Sequence, residues 1–304
     1  MRGEAAGRSR MQQSVDVEMN RDAEVDRRPR VTARLASPQP LQRFWGSMRP
    51  ANQAGEECCE DRRDRCSGAF HTPSDRGMFG TVRAVSALSW SGGKDSAFTL
   101  YELRARAVSP PRALITTVTA DYGRISMHGV RRELLSRQAR AVGLPLVEVE
   151  IPASCSNEVY EQRMGRALAE APLAEAQTIA FGDLFLADIR AYREERLRRV
   201  GKEAIFPLWG RDTRALAREF IKSGFEAVLV CVDPRRLDPS FAGRRFDAEL
   251  LSDLPPDIDP CGENGEFHTF VHAGPIFSAP IACQVGETVE RDGFVFCDVL
   301  AADS

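Results

Sequence analysis

Leu88-Ser89-Trp90-Ser91-Gly92-Gly93-Lys94-Asp95-Ser96 is the stretch that decides the architecture of this chain. The apolar run from Val85 to Trp90 reads as a strand. Ala97-Phe98-Thr99-Leu100-Tyr101-Glu102-Leu103 starts a helical pattern directly after the small-residue loop. Strand, loop and helix start together make an anion site. The first N–H groups of a helix have no intrahelical partners, and the dipole favours negative charge there. Gly92 and Gly93 let the backbone approach a phosphate closely, Lys94 adds a full charge, and Ser91 and Ser96 add hydroxyl donors. Of the 41 basic residues only Lys94, Lys202 and Lys222 are lysine. A compact ammonium therefore stands at position 94 in a chain that otherwise uses arginine, which a plain capped turn does not require. The spacing is not that of the common phosphate loop, which has four residues between its glycines and ends in Gly-Lys-Ser/Thr.

Outward from this stretch, strand and helix alternate. The pattern predicts strands at 84–90, 112–119, 144–151, 177–183 and 204–209, with helices over 95–107, 130–142, 156–170 and 185–200. Gly143 is placed to end the second helix as a left-handed residue. The fourth helix carries Arg190, Arg193, Arg196, Arg198 and Arg199 with Glu194 and Glu195, and reads as a solvated face. Strands joined by crossover helices form a parallel, helix-covered sheet whose ligands sit at the carboxyl ends of the strands. Beyond Gly210 a helix at 212–223 and a strand at 227–232 continue the alternation. A polar loop at 233–247, a short helix near 247–253 and a β-rich tail follow. The expectation is an α/β protein, with a Rossmann-like parallel sheet over 80–209 and a smaller α+β substrate domain over 210–304. Residues 1–79 mix arginine and acidic residues without apolar period and cannot bury enough surface to order themselves. They read as a disordered tail or as a start assigned too early, Met78 being the natural beginning.

Net charge is −3 and no basic block stands out, so no nucleic-acid partner is expected. Apolar runs such as 227–232 have strand length, far short of a membrane span, and the N-terminus lacks the apolar core of a signal peptide. The expectation is a cytoplasmic protein, with a homodimer left open. The eight cysteines include no C-x-x-C pair and the four histidines show no ligand spacing, which argues against a structural zinc or iron–sulfur site. Nothing near Cys261 marks it as an activated nucleophile.

Several polar residues should share the cleft with the loop. Thr117 ends the second strand and could meet a base or ribose, or serve only as a good strand former. Gly182-Asp183 ends the fourth strand; the carboxylate of Asp183 could hold a divalent cation among phosphates or cap the next helix. Asp95 could bind the metal or order the loop. His128 stands in the glycine-containing loop Met127-His128-Gly129, where surface histidines are also common. A second dense stretch is Asp259-Pro260-Cys261-Gly262-Glu263-Asn264-Gly265-Glu266-Phe267-His268-Thr269-Phe270. Two glutamates three apart and a histidine could orient a cationic substrate or act as a general base, or they could decorate a solvated hairpin.

Ser91 to Ser96 resembles the PP-loop of ATP pyrophosphatases. Together with Met127-His128-Gly129-Val130, Gly182-Asp183, Pro207-Leu208-Trp209-Gly210 and above all Cys261 to Phe270, it resembles the diphthine–ammonia ligase (diphthamide synthase) family over about 82–298. The arginine bias and short format suggest a bacterial-type member. The resemblance implies an adenine nucleotide alpha hydrolase-like sheet that binds ATP with Ser91, Gly92, Gly93, Lys94, Asp95, Ser96, Thr117, His128, Gly182 and Asp183. It implies Mg²⁺ at Asp95 or Asp183, and catalysis by Lys94, Glu263, Glu266 and His268. The implied reaction adenylates a small-molecule or protein-borne carboxylate, releases pyrophosphate and transfers ammonia to leave an amide. Members acting on diphthine carry glycine where this chain has Asn264 and glutamate where it has His268, so the acceptor need not be diphthine. Two other readings compete: a tRNA-modifying PP-loop enzyme, which predicts a basic surface, and an ATP-binding sensor, which predicts no turnover.

Overall fold

A computed structural model describes residues 85–105, 111–126 and 128–303. The stretch 1–79, Met78 and Met127 lie outside these residues. Strands of the first sheet are covered on both faces, which is why they run apolar without strict alternation. In β1 (Val85–Ser89) and β2 (Ala113–Thr119), Leu88 and Leu114 face one layer while Ala87, Ala113 and Ile115 face the other. With β4 (Leu146–Ile151), β5 (Thr178–Ala180) and β6 (Glu203–Ile205) they form parallel neighbours in the order β4-β2-β1-β5-β6. β1 leaves β2 once Ser89 has passed Ile115. The vacated edge is then taken by a two-residue antiparallel strand, β3 (Arg124–Ile125), opposite Val118 and Thr119.

Helices α1 (Lys94–Ala105) and α2 (Arg132–Val142) cover the Leu88 face; α3 (Asn157–Ala169) and α4 (Ala187–Arg199) cover the other through Leu168 and Leu197. Gly143 closes α2 at φ 76°, the left-handed geometry its sequence position called for.

The strand expected to continue the parallel series does not. After α5 (Thr213–Lys222), β7 (Glu226–Val232) pairs antiparallel with β8 (Phe267–Ala273) and β10 (Phe294–Ala301). With β9 (Cys283–Arg291) they make a second sheet in the order β8-β7-β10-β9; α6 (Ala248–Asp253) lies in the β7–β8 connection. The physical reason lies on α1. Phe220 and Phe225 stack at 4.7 Å and both pack on Phe98 of α1, at 6.1 and 5.9 Å, so the chain is drawn over α1 instead of back to the first sheet. One hydrophobic core then runs from Leu88 through Phe98 and Leu134 to Val230, Phe267 and Phe270. Among the described residues no helix is long and apolar enough to cross a membrane.

Candidate active site

The strand order reverses at β1, with β2 on one side and β5 on the other, and the helices that follow go to opposite faces. Such a switch leaves a crevice beyond the carboxyl ends of the strands. The Ser91–Ser96 loop forms one wall and Gly182-Asp183 the other. Gly182 has no room for a side chain: a Cβ would lie 2.9 Å from the Asp95 carbonyl carbon and 3.0 Å from its oxygen. The crevice opens into a cleft of about 1430 Å³ that Thr117, His128, Glu263 and His268 also line.

The loop is held from behind by two other elements. Gln138 of α2 is fully buried; it accepts from Trp90 Nε1 at 3.0 Å and donates through Nε2 to the carbonyls of Gly92 (3.0 Å) and Val271 (2.6 Å). Val271 N donates to Gly92 O at 2.9 Å, and Lys94 N donates to Thr269 Oγ1 at 3.0 Å. β8 of the second sheet is therefore the back wall of the loop. Ser96 Oγ donates to Gly93 O at 3.0 Å and lies 3.3 Å from Ser91 Oγ, which accepts from Gly93 N.

Lys94 Nζ meets both Asp95 oxygens at 2.6 and 2.7 Å. Burial opposes the Lys94 charge, but the Asp95 carboxylate more than offsets it and holds the ammonium above its ordinary value. Burial pushes the Asp95 carboxyl up against the pull of Lys94, with Asp259 and Asp183 adding to the rise. Glu263 Oε1 accepts from Leu184 N at 2.7 Å, tying the second sheet's loop to the exit of β5. Burial, and then the Asp95 charge, push its carboxyl up to about 8.

The rings of His128 and His268 lie 4.4 Å apart, tilted by 34°. Burial lowers both: His128 falls to about 4 despite its bond to the Thr269 carbonyl, and His268 falls well below the usual range, with Lys94 contributing to each. His128 Nδ1 is buried without a hydrogen-bond partner.

Glu266 separates from its expected partners. It is fully buried and does not line the cleft; its Oε1 accepts from Asn264 Nδ2 at 3.0 Å and Asp259 N at 3.4 Å. Its contacts order the 259–266 loop. Thr117 reaches the cleft, though its carbonyl already accepts from Ser126 N. Asp183 is not a helix cap: the N-cap of α4 is Leu186, without a side-chain bond. It forms an ion pair with Arg193 at 2.8 Å, whose geometry leaves Asp183 Oδ2 without a hydrogen bond. Cys261 is buried, donates to Thr213 O, and is pushed up to about 12 by burial, so it offers no thiolate.

Two arginines of the face read as solvated belong to the site. Arg193 stacks over Phe181 at 4.3 Å, Arg196 pairs with Glu161 at 2.5 Å, and both line the cleft. With Arg190, which sits over Trp209 at 4.7 Å, they follow at steps of three along one helix face. Gln138 belongs with them, and its signal in the sequence is a polar residue on the apolar stripe of Leu134, Leu135 and Val142.

Among the described residues no group of three or more His, Cys, Asp or Glu side chains is arranged to enclose a metal. Asp95 and Asp183 are neighbouring carboxylates that both line the cleft, and a hard cation held there would share them with Lys94 and Arg193 and take its remaining ligands from phosphates and water.

The chain matches the family models of the diphthamide synthase N-terminal domain over residues 84–204 and of the diphthamide synthase C-terminal domain over 212–299. It is similar to proteins named diphthine–ammonia ligase. The Homo sapiens protein is 26% identical over 231 residues, covering 69% of this chain and 86% of that one. The Schizosaccharomyces pombe protein is 24% identical over 229 residues (68% and 37%), and the Rattus norvegicus protein 27% over 135 residues (41% and 49%). The chain thus spans less than half the length of the last two. The two domain models take in both the loop of the parallel sheet and the β8 wall that holds it, and the chain belongs to the diphthamide synthase family.

Proposed function

We propose that this protein is an ATP-dependent amide ligase: it adenylates a carboxylate, releases pyrophosphate, and transfers ammonia to the activated acyl group. The observation that carries this reading is the junction of the phosphate loop with a protonatable carboxylate in one cleft, where Glu263 Oε1 sits on Leu184 N beside the Lys94–Asp95 pair. Lys94, held charged, and the dipole at the start of α1 would stabilise charge developing on a departing pyrophosphate. Glu263, near neutrality in its titration, suits the removal of a proton from an attacking nitrogen. Asp95 and Asp183 would hold Mg²⁺, which supplies further charge neutralisation when bound. Residues 80–209 serve as the ATP-binding part and 210–304 as the part that shapes the acceptor pocket. The relatives' name points to diphthine as acceptor; Asn264 and the uncharged His268 favour a different small-molecule or protein-borne carboxylate.

The test is phosphorus NMR of the full chain with ATP, Mg²⁺, ammonium and a fractionated metabolite extract. AMP with pyrophosphate is expected. ADP with phosphate would overturn α-phosphate chemistry, and bound but unchanged ATP across all fractions would favour a sensor.

A further inference from the structure

We infer that the His128–His268 pair takes up one proton from solvent when a triphosphate enters the cleft, giving the site a second cation beside Lys94 that the free protein lacks. The inference deepens the ATP reading and rests on it.

The argument starts from charge already committed. Lys94 and each arginine lining the cleft are paired: Lys94 with Asp95, Arg193 with Asp183, Arg196 with Glu161, Arg199 with Glu195, Arg235 with Asp233, and Arg236, at 3.8 Å, with Glu266. A polyanion meets these cations only by sharing or displacing their carboxylates. The two imidazoles are the exception. Among the described residues no carboxylate forms an ion pair with either ring, and the charge acting on both is Lys94, at the start of α1. From β8, His268 supplies the facing ring and Thr269 the carbonyl that accepts from His128.

The ring of His128 lies against the loop, its Cε1 3.4 Å from where a Cβ on Gly93 would stand. Nδ1 itself is buried without a hydrogen-bond partner, in a residue that lines the cleft. A lone pair there is poorly matched to phosphate oxygens, whereas an N–H at the same atom donates to them. In the free protein, burial and Lys94 keep both rings neutral. An anion beside Nδ1 reverses the local field and favours the charged form. With ring centroids 4.4 Å apart, a charge on one imidazole opposes a charge on the other, so the pair takes one proton and His268 serves as the facing aromatic ring. By linkage, ATP binding tightens as pH falls, by up to about tenfold per pH unit while the pair is neutral free and charged bound.

The experiment is calorimetric titration of the full chain with ATP at pH 7, with and without Mg²⁺, in buffers of different ionisation heat. Nitrogen-15 NMR of histidine-labelled protein accompanies it. About one proton taken up per nucleotide, with an imidazole signal moving from neutral to imidazolium, is the expected result. His128→Asn should remove the uptake, and His268→Phe, which keeps a facing ring, should retain it. The NMR measurement needs no variant, so a misfolded His128→Asn does not blunt the test. Bound ATP with both imidazoles still neutral, or uptake persisting in folded His128→Asn, would overturn the inference while leaving the nucleotide site intact. Absence of any binding heat across the buffers, with histidine signals unmoved by ATP, would overturn the nucleotide reading itself.

Discussion

Replacing Gln138 by leucine tests whether the loop is positioned from behind. Leucine fills most of the glutamine volume but removes one acceptor and two donors. Gly92 O keeps its bond from Val271 N. Trp90 Nε1–H loses the acceptor it has at 3.0 Å, and Val271 O loses a 2.6 Å donor, both in a fully buried setting. An unsatisfied buried polar group costs about 1–3 kcal/mol, so two cost about 2–6 kcal/mol, a large part of a domain's total stability. For a domain of this size that corresponds to a fall in Tm on the order of 10 °C. The functional effect is separate. With one of two donors to its carbonyl gone, Gly92 can rotate, and the amides that follow it lose their aim. We expect ATP affinity to weaken by about tenfold, or ~1.4 kcal/mol. Chemical denaturation and calorimetric titration with ATP below the new Tm measure the two effects on the same sample. A Gln138→Leu protein as stable as wild type, binding ATP equally well, would refute the reasoning.

Gly182→Ala should weaken ATP binding at least about tenfold, because the clashing atoms are Asp95 backbone and cannot rotate away; equal affinity by titration would show that the two strand exits need not touch. Lys94→Ala should abolish AMP formation followed by phosphorus NMR, and wild-type turnover from a folded variant would remove the loop from the mechanism. Glu263 gives a pH signature of its own. Its folded value, about 8, lies above the ordinary 4.5, so the native state retains a proton that the unfolded chain releases. Stability should therefore fall as pH rises from about 5 to 8, by at most about 1.4 kcal/mol per unit, and Glu263→Gln should flatten that slope in urea titrations.

What could be read from the sequence was local. The loop announced itself through chemistry confined to six residues, and the strand–helix series through periodicities that each segment carries alone. Gly143 needed only its own backbone. The misreadings share the opposite property. The run 227–232 is apolar throughout, as any doubly covered strand is, and nothing in its residues says whether its neighbours are parallel. Phe98, more than a hundred positions away, decides that through Phe220 and Phe225. Glu263 and Glu266 look alike in sequence, three apart beside glycines. Left-handed turns at Gly262 and Gly265, φ 67° and 83°, send one to the cleft and the other into the core. Arg193 and Arg196 resemble their solvated neighbours until a partner for each, Asp183 and Glu161, appears on another element.

The family models divide the chain between residues 204 and 212, but the core does not divide there. The outer side of α1 is apolar, with Phe98, Leu100 and Leu103 buried, and part of its cover comes from Phe220 and Phe225, beyond the division. Lys94 N and Gly92 O likewise find partners on β8, at Thr269 and Val271. Removing the second sheet would therefore expose aromatic surface worth roughly 2–3 kcal/mol per side chain and untie the loop in the same step. The same residues explain why the stretch 259–270 is so dense. Glu263 faces the cleft, Glu266 and Asn264 set the turn that presents it, His268 lies tilted against His128, and Thr269 holds the loop that would carry the phosphates. One strand and its preceding turn thus hold the Ser91–Ser96 loop and present Glu263 to the same cleft. A displacement of β8 against the first sheet would therefore disturb the loop and the placement of Glu263 together.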